Sequence, residues 1–206
     1  MSIDSYNDEG LTPLLLATRE GNYDAVVLLI ESGADPNLTT EFFEYSALSL
    51  ALNHNHFDIF FYLLDYVQDM NSTCGNGLSI LAKAASEGEI EVMDELLNRG
   101  AQINKIDNHS LIPLIEAVEH NQIGAVQLLL ERGANINCQD EDGFTPLIIA
   151  AVCEHLDIIN YLLNHGADYN IRTYDIDYEN DNYNAIEYAE IHGKQNSVNL
   201  ILDRKS

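Results

Sequence analysis

The chain has 206 residues, with 9 basic and 34 acidic side chains and a formal net charge of −25. This surplus of acid repels phosphate groups, so neither nucleic acid nor a membrane is expected as a partner. With 46% hydrophobic residues the chain is too apolar for a disordered acidic tail, and no apolar run reaches the roughly 18 residues of a membrane span.

The start of the chain and its cysteines bear on the compartment. Residues 1–9 lack the basic and apolar segments of a secretory signal, which favours the cytoplasm. Cys74, Cys138 and Cys153 are odd in number and form no C-x-x-C pair, so they are expected to be unpaired thiols in a reducing compartment. We predict no cofactor and no zinc site.

A short string that begins with Gly-Ala and ends with Asn recurs along the chain. Its copies are Gly33–Asn37, Gly100–Asn104, Gly133–Asn137 and Gly166–Asn170, with a degenerate copy at Val67–Asn71. Leucines at 14, 48, 81, 114 and 147 and alanines at 17, 51, 84, 117 and 150 keep the same step of 33 or 34 residues. A fixed period of this length indicates a repeat array.

Each period predicts two helices joined by a turn. Thr12-Pro13 and Thr145-Pro146 are typical helix starts, because threonine caps free amide groups and proline tolerates the first turn. The glycines of the recurring string suit a left-handed helix end. Between the string and the next helix, Glu9-Gly10, Asn76-Gly77 and Asp142-Gly143 suit the tight turn of a β-hairpin.

The segment from Asp142 to Asn170 resembles one full ankyrin repeat, and the resemblance extends over nearly the whole chain. It implies an all-α repeat solenoid, in which stacked helix pairs carry β-hairpin fingers and form a concave face. Members of the family bind proteins there and are not enzymes as a class. We predict a single domain, 1–206, of about six units: 7–39, 40–73, 74–106, 107–139, 140–172 and 173–206.

Several positions depart from the ankyrin pattern. The histidine that usually follows Thr-Pro-Leu is replaced in every unit, so its hydrogen bond across the repeat is lost. Val67 takes the place of a glycine and resists a left-handed backbone, so the second unit should end differently. The last unit has six extra residues between Asn170 and Ile186 and resembles a cap. At the other end, the residues before Asp8 are too few to cover Leu15 and Leu16.

Candidate partner contacts cluster in the irregular fingers. In the second finger, Glu41-Phe42-Phe43-Glu44-Tyr45 places three aromatics at an exposed hairpin tip, where aromatics usually mean contact. In the last finger, tyrosines alternate with acids, which suits a basic partner surface, although a flexible solvated loop fits equally well. The predicted contact residues of the fingers are Phe42, Phe43, Tyr45, His109, Glu141, Asp142, Phe144, Tyr174, Asp175, Asp177, Tyr178 and Tyr183.

One further column lies three residues beyond each periodic alanine, where it should face the concave groove. Of its members Glu20, His54, Glu87, His120, Cys153 and His192, we predict His54, Glu87 and His120 as partner contacts. Their chemical types also suit a metal, but neighbouring helices lie about 8–10 Å apart, which disfavours a closed four-ligand site.

The sequence therefore predicts a monomeric protein–protein interaction module that works by occlusion or scaffolding. Its acidity either steers a basic partner or serves solubility alone. Two alternatives stay open: an inhibitor or immunity-type protein that neutralises a toxin or enzyme, and a secreted effector that captures a host protein. A metal-dependent enzyme that uses the groove column is a more remote alternative.

Overall fold

The computed structural model describes residues 2–74, 77–106, 111–174 and 182–204. Within these ranges the chain forms six helix pairs and one short hairpin. The helices are α1 (Pro13–Arg19), α2 (Tyr23–Glu31), α3 (Ala47–Asn53), α4 (Phe57–Leu63), α5 (Ile80–Glu87), α6 (Ile90–Asn98), α7 (Pro113–Glu119), α8 (Ile123–Glu131), α9 (Pro146–Cys153), α10 (Leu156–Asn164), α11 (Ala185–Ile191) and α12 (Gln195–Asp203), and the strands are β1 (Thr73–Cys74) and β2 (Leu78–Ser79). One pair falls in each predicted unit, and the unit boundaries themselves stay a prediction.

Four of the first helices start at a hydroxyl residue that caps them, and at Thr12 and Thr145 the sequence predicts this cap. The hydroxyl oxygens of Thr12 and Thr145 accept hydrogen bonds from the backbone N–H three residues later, at 3.3 and 3.2 Å. Ser46 and Ser79 do the same in the second and third pairs. Each cap satisfies one of the amide groups that a helix start leaves free.

Most second helices end at a left-handed glycine. Gly33, Gly100, Gly133 and Gly166 have φ angles between 88° and 91°, and the alanine after each glycine donates its N–H to a carbonyl five residues back. This pattern satisfies the last carbonyls of the helix.

The second repeat ends differently, as Val67 predicted. Helix α4 stops at Leu63, and the N–H groups of Tyr66 and Val67 both donate to the Leu63 carbonyl oxygen, at 2.9 and 3.1 Å. Val67 is not among the residues with positive φ. The backbone of this β-branched residue therefore does not adopt the left-handed conformation, and the helix ends earlier instead.

The stack has two layers of helices. The first helices, α1, α3, α5, α7, α9 and α11, pack on one another in chain order as the inner layer, and the second helices form the outer layer. The periodic residues fill the space between the layers: Leu48, Leu114, Ala51, Ala84, Ala117, Ala150, Leu63, Leu96, Leu129 and Leu162 are all completely buried. The period of the sequence thus reflects the regular placement of buried leucines and alanines in one continuous core.

The edge at the first repeat is better covered than the sequence predicted. Leu15 is 1% exposed, so its predicted exposure is wrong, because α1 packs against both α2 and α3. Leu16 is only half-buried, in line with the prediction.

Side chains that reach from one repeat to the next tie the stack together. The Oδ1 atoms of Asn71, Asn104 and Asn137 each accept a backbone N–H from the following repeat, at 2.8–3.0 Å. This explains the asparagine at the end of three of the recurring strings. On the inner side, His56 Nε2 lies 3.1 Å from the Arg19 carbonyl oxygen, and Gln122 Nε2 donates to the Ser86 carbonyl oxygen at 3.2 Å. Bonds across repeats thus exist without the family's usual histidine.

Among the described residues, none of the helices has the length and apolar character that crossing a membrane requires.

Candidate partner-binding face

The fingers precede the inner helices and form the rim of the concave face. The first finger (residues 7–11) closes as a turn in which Gly10 N–H donates to the Asn7 carbonyl oxygen at 3.0 Å. The fifth finger (residues 138–144) repeats this turn between Gly143 and Asp140 at 3.1 Å. Both glycines have positive φ, 71° and 81°, so the turns predicted at these glycines are confirmed.

The second finger (residues 38–46) is one residue longer than the third, fourth and fifth fingers between its loop asparagine and the helix leucine. Thr39 pairs with Ser46 across the finger, and Thr40 N–H donates to the Tyr45 carbonyl oxygen at 2.9 Å. Glu44 has a φ of 54°, which closes the longer tip. Phe42 and Phe43 extend from this tip, and each is 65% exposed.

The second finger rests on the first through a glycine. Glu41 N–H donates to the Gly10 carbonyl oxygen at 3.0 Å, and the Phe42 ring covers Gly10 closely. A Cβ atom at residue 10 would lie only 2.8 Å from Phe42 Cε2. Glycine at this position therefore sets where the Phe42 ring lies.

A cavity of about 430 Å³, the N-terminal pocket, opens between these two fingers and helices α1 and α3. Its wall is mostly apolar and comes from Leu11, Phe42, Phe43, Tyr45 and Leu50, with His54 and Asn53 on the helix side and Glu9 and Arg19 at the edge. Tyr45 also packs against the core, and its ring lies 6.3 Å from that of Phe43. Four predicted contact residues, Phe42, Phe43, Tyr45 and His54, thus meet at one site.

The cation at the edge of this pocket is already paired. Arg19 binds Glu9 at 2.8 Å and Glu20 at 3.1 Å. The hydrogen bond that Arg19 donates to Glu9 is the largest cause of a raised Arg19 pKa, so the guanidinium stays charged and engaged. The pocket therefore presents an aromatic wall beside a cluster of one cation and two acids, whose net charge is −1.

A second cavity of about 280 Å³, the C-terminal pocket, lies on the same face between the fifth finger and helices α7, α9 and α11. Phe144, Ile149, Val152, Cys153 and Tyr188 line it, and Glu119 and Asp140 stand at its edge. The rings of Phe144 and Tyr188 meet edge to face at 5.1 Å. Of the predicted contact residues, Phe144 alone contributes to this wall.

The electrostatics of the C-terminal pocket reflect burial beside acids. Burial raises the pKa of Asp140, of the Cys153 thiol and of the Tyr188 hydroxyl. Glu119 raises the Cys153 pKa further, and Asp142 does the same for Tyr188. Each raised pKa means that the neutral, protonated form of the group is favoured over the anion. This is expected in an apolar cavity that is bordered by carboxylates.

The last finger rests on the fifth as the second rests on the first. Tyr174 N–H donates to the Asp142 carbonyl oxygen at 2.9 Å, and Tyr174 covers Gly143. The Tyr174 side chain is 51% exposed. Tyr183 is half-buried, with its ring 6.2 Å from that of Tyr188.

The other predicted contact residues that the structure describes lie outside both pockets. Glu87 pairs with Lys83 at 2.8 Å, and His120 Nδ1 lies 3.0 Å from the Glu116 carbonyl oxygen. Glu141 and Asp142 are exposed on the fifth finger. His109, Asp175, Asp177 and Tyr178 lie outside the described residues.

Sequence reasoning missed half of the pocket walls. Leu11, Leu50, Ile149, Val152 and Tyr188 were not predicted as contacts. Val152 directly precedes the groove-column residue Cys153, and Tyr188 directly precedes Ala189, which corresponds to the periodic Ala150. The available signal was therefore the residue next to a periodic position.

The groove column is exposed throughout: Glu20, His54, Glu87, His120, Cys153 and His192 all face solvent. The column supplies one residue per repeat. In the part of the chain that the structure describes, no three His, Cys, Asp or Glu side chains converge to hold a metal ion.

All eight basic side chains that the structure describes are engaged by the chain itself. Arg19, Lys83, Arg99, Arg132, Arg172 and Lys194 form ion pairs, while Lys105 and Arg204 bond to asparagine oxygens. By contrast, the first, second and fifth fingers contain acids and no Lys or Arg. These three fingers are therefore anionic.

Comparison with known proteins supports this architecture. The profile of three consecutive ankyrin repeats matches residues 48–140 and 114–206, and that of a single ankyrin repeat matches residues 9–41. Over 63 residues the chain is 40% identical to an ankyrin repeat protein, L38, of Acanthamoeba polyphaga mimivirus; this match covers 31% of the chain and 30% of the relative. The match thus spans less than a third of that curated relative's length.

Solved structures are similar over much more of the chain. The ankyrin repeat domain of Bcl-3, described as a unique member of the IkappaB protein family, is 30% identical with a TM-score of 0.84, over 97% of this chain and 86% of that one. An ankyrin repeat domain from Acinetobacter baumannii AYE is 33% identical with a TM-score of 0.73, over 82% of this chain and 88% of that one.

Proposed function

Because the chain belongs to the ankyrin-repeat family, we propose that it holds a protein partner with a basic surface against its concave face. Ankyrin repeats are generic protein–protein interaction modules. The observation that carries the proposal is the N-terminal pocket, where Phe42 and Phe43 stand 65% exposed around a cavity of about 430 Å³. Exposed aromatic clusters beside a pocket are typical binding hot spots.

The chemistry of the rim indicates the charge of the partner. The fingers are anionic, and the described cations are held by intramolecular bonds. A basic partner gains long-range attraction from such a surface and meets no free cation among the described residues. An acidic partner would face repulsion at the first, second and fifth fingers.

The mode of action that fits a rigid stack is occlusion or scaffolding rather than catalysis. The groove column places single polar residues one repeat apart, which suits contact along a surface better than chemistry at one point. We further propose that the protein is a monomer, because a net charge of −25 opposes self-association. We also propose that it acts in the cytoplasm.

Capture from the native cell tests this function when variants are compared side by side. The double variant Phe42→Ala/Phe43→Ala should recover far less of the partner than the unchanged chain. Leu28→Ala is the matched control, because Leu28 is 64% exposed on the outer helix α2. Tyr45 is kept, since it also packs against the core.

Salt provides the second arm of the same experiment. If the acidic rim attracts a basic partner, the amount recovered by the unchanged chain should fall as salt is raised. Equal recovery by Phe42→Ala/Phe43→Ala and Leu28→Ala would contradict the role of the pocket. Recovery that does not depend on salt would contradict the basic partner.

A further inference from the structure

We propose that the two pockets act together and bind one extended basic segment of a partner through two large apolar side chains. The inference rests on the proposed function and makes it more specific. It follows from the positions of the two pockets on one face, from their walls, and from the charge between them.

The two pockets lie on the same face of the stack, three repeats apart. The N-terminal pocket includes residues of α3, and the C-terminal pocket includes residues of α9. Packed helices lie about 8–10 Å apart, so the three steps from α3 to α9 separate the pockets by about 24–30 Å. A single segment can reach both without leaving the concave face.

The walls of both pockets suit large apolar side chains. Phe42 and Phe43 are open to a partner in the N-terminal pocket, whereas Phe144 and Tyr188 form a narrower, edge-to-face wall in the C-terminal pocket. The N-terminal pocket, at about 430 Å³, is larger than the C-terminal pocket, at about 280 Å³. It should therefore hold the larger of the partner's two apolar side chains. Burial of such an anchor supplies most of the binding energy of an interface.

The surface between the pockets selects a basic linker. Glu119 is exposed at the end of α7. On α5, Glu87 is paired with Lys83, so these three side chains together carry a net charge of −1. Partner residues that cross this stretch therefore gain from a positive charge and lose from a negative one.

The separation also sets the spacing of the two anchors. An extended chain rises about 3.3 Å per residue, so about eight residues span the gap. A helix would need about 18 residues for the same distance. We favour the extended segment because it orders fewer residues on binding.

A random peptide library displayed on phage and selected on the full chain tests the inference without knowledge of the natural partner. The expected peptides are basic and carry two large apolar residues about eight positions apart. Enrichment of peptides with a single apolar residue, or with anchors at no preferred spacing, would overturn the proposal.

Binding of one selected peptide, followed by fluorescence anisotropy, then assigns the anchors. Phe42→Ala should weaken binding by about tenfold or more by removing one wall of the N-terminal pocket. Cys153→Phe should weaken it similarly by filling the C-terminal pocket, whereas the matched control Ser32→Phe, at the end of the outer helix α2 and outside both pockets, should not. Cys153 and Ser32 are both exposed at a helix end, so both substitutions are compatible with folding.

The variants separate failure of this inference from failure of the proposed function. If Phe42→Ala weakens binding and Cys153→Phe does not, one pocket binds alone and the two-pocket inference is wrong. If the selected peptides are not basic and bind Phe42→Ala as tightly as the unchanged chain, the proposed function is wrong as well.

Discussion

The second and fifth fingers both carry aromatic side chains, but they use them differently. Tyr45 and Phe144 hold equivalent positions just before the helix cap, and both are half-buried against the core. Phe42 and Phe43 stand farther out, at tip positions where the fifth finger has polar residues. An aromatic residue beside the helix cap therefore stabilises the stack, while an aromatic residue at the finger tip remains available for a partner.

The environment of each aromatic explains the difference. Phe144 is covered by Tyr188 from the next inner helix, at 5.1 Å. The extra residue in the second finger moves Phe42 and Phe43 beyond the reach of such cover, and Phe42 rests instead on Gly10. The same acidic face thus has one open aromatic site and one that is partly filled by its own side chains.

The largest effect on stability should come from the fifth finger. Phe144→Ala removes a half-buried ring and its contact with Tyr188, so we expect the free energy of unfolding to fall by about 2 kcal/mol. Phe42→Ala should change it by less than about 0.5 kcal/mol, because this ring is mostly in solvent. Urea denaturation of both variants measures the difference. Equal losses of unfolding free energy in the two variants would contradict the distinction between aromatics at the finger tip and aromatics beside the helix cap.

A smaller effect is expected when either of two glycines with similar backbone strain is replaced by alanine. Gly10 and Gly33 have φ angles of 71° and 90°, so replacement of either by alanine should cost about 1 kcal/mol of stability. Only at residue 10 would the new Cβ meet another side chain, the Phe42 ring. Gly10→Ala should therefore weaken binding of the captured partner several-fold, while Gly33→Ala should leave it unchanged. The same affinity for both variants would show that the position of Phe42 does not matter.

The smallest effect concerns the last finger and pH. Glu187 accepts a hydrogen bond from Arg172 at 2.7 Å and one from Asn184 N–H at 3.1 Å; the bond from Arg172 is the largest cause of a lowered Glu187 pKa. A lowered folded pKa means that the stabilisation is present above the ordinary carboxyl pKa and is lost as pH falls through the folded value. Because the pair is exposed, it contributes at most about 0.5 kcal/mol.

Glu187→Gln provides the measurement. Its unfolding free energy should lie slightly below that of the unchanged chain at neutral pH and match it in strong acid. A constant gap at both pH values would contradict the role of the charge. Among the described residues, Glu41 and Glu44 of the second finger form no such ion pair, so this pH effect is expected at the last finger and not at the second.

The sequence predicts the fold almost completely because the fold is periodic. One step of 33 or 34 residues identifies the core leucines and alanines, the caps at Thr12 and Thr145, and the left-handed glycines. Even the departure at Val67 is predictable, since it depends on the local backbone preference of one residue.

The site is predictable only in part because it depends on packing between elements. Four contact residues of the N-terminal pocket follow from the pattern of aromatics and the groove column, but the contact of Phe42 with Gly10 joins two fingers that lie far apart in sequence. Tyr188 closes the C-terminal pocket from a helix that follows the insertion. Leu15 was expected to be exposed for the same reason: its burial depends on neighbours that local sequence does not show.

The most direct test of the account is photo-crosslinking from defined positions in the native cell. A photoreactive phenylalanine analogue is placed at residue 43, on the concave rim, or at residue 28, on the outer helix; both positions are about equally exposed, at 65% and 64%. The account predicts a crosslink to a partner with a basic surface from residue 43 and none from residue 28. A crosslink from residue 28 alone would contradict binding at the concave face.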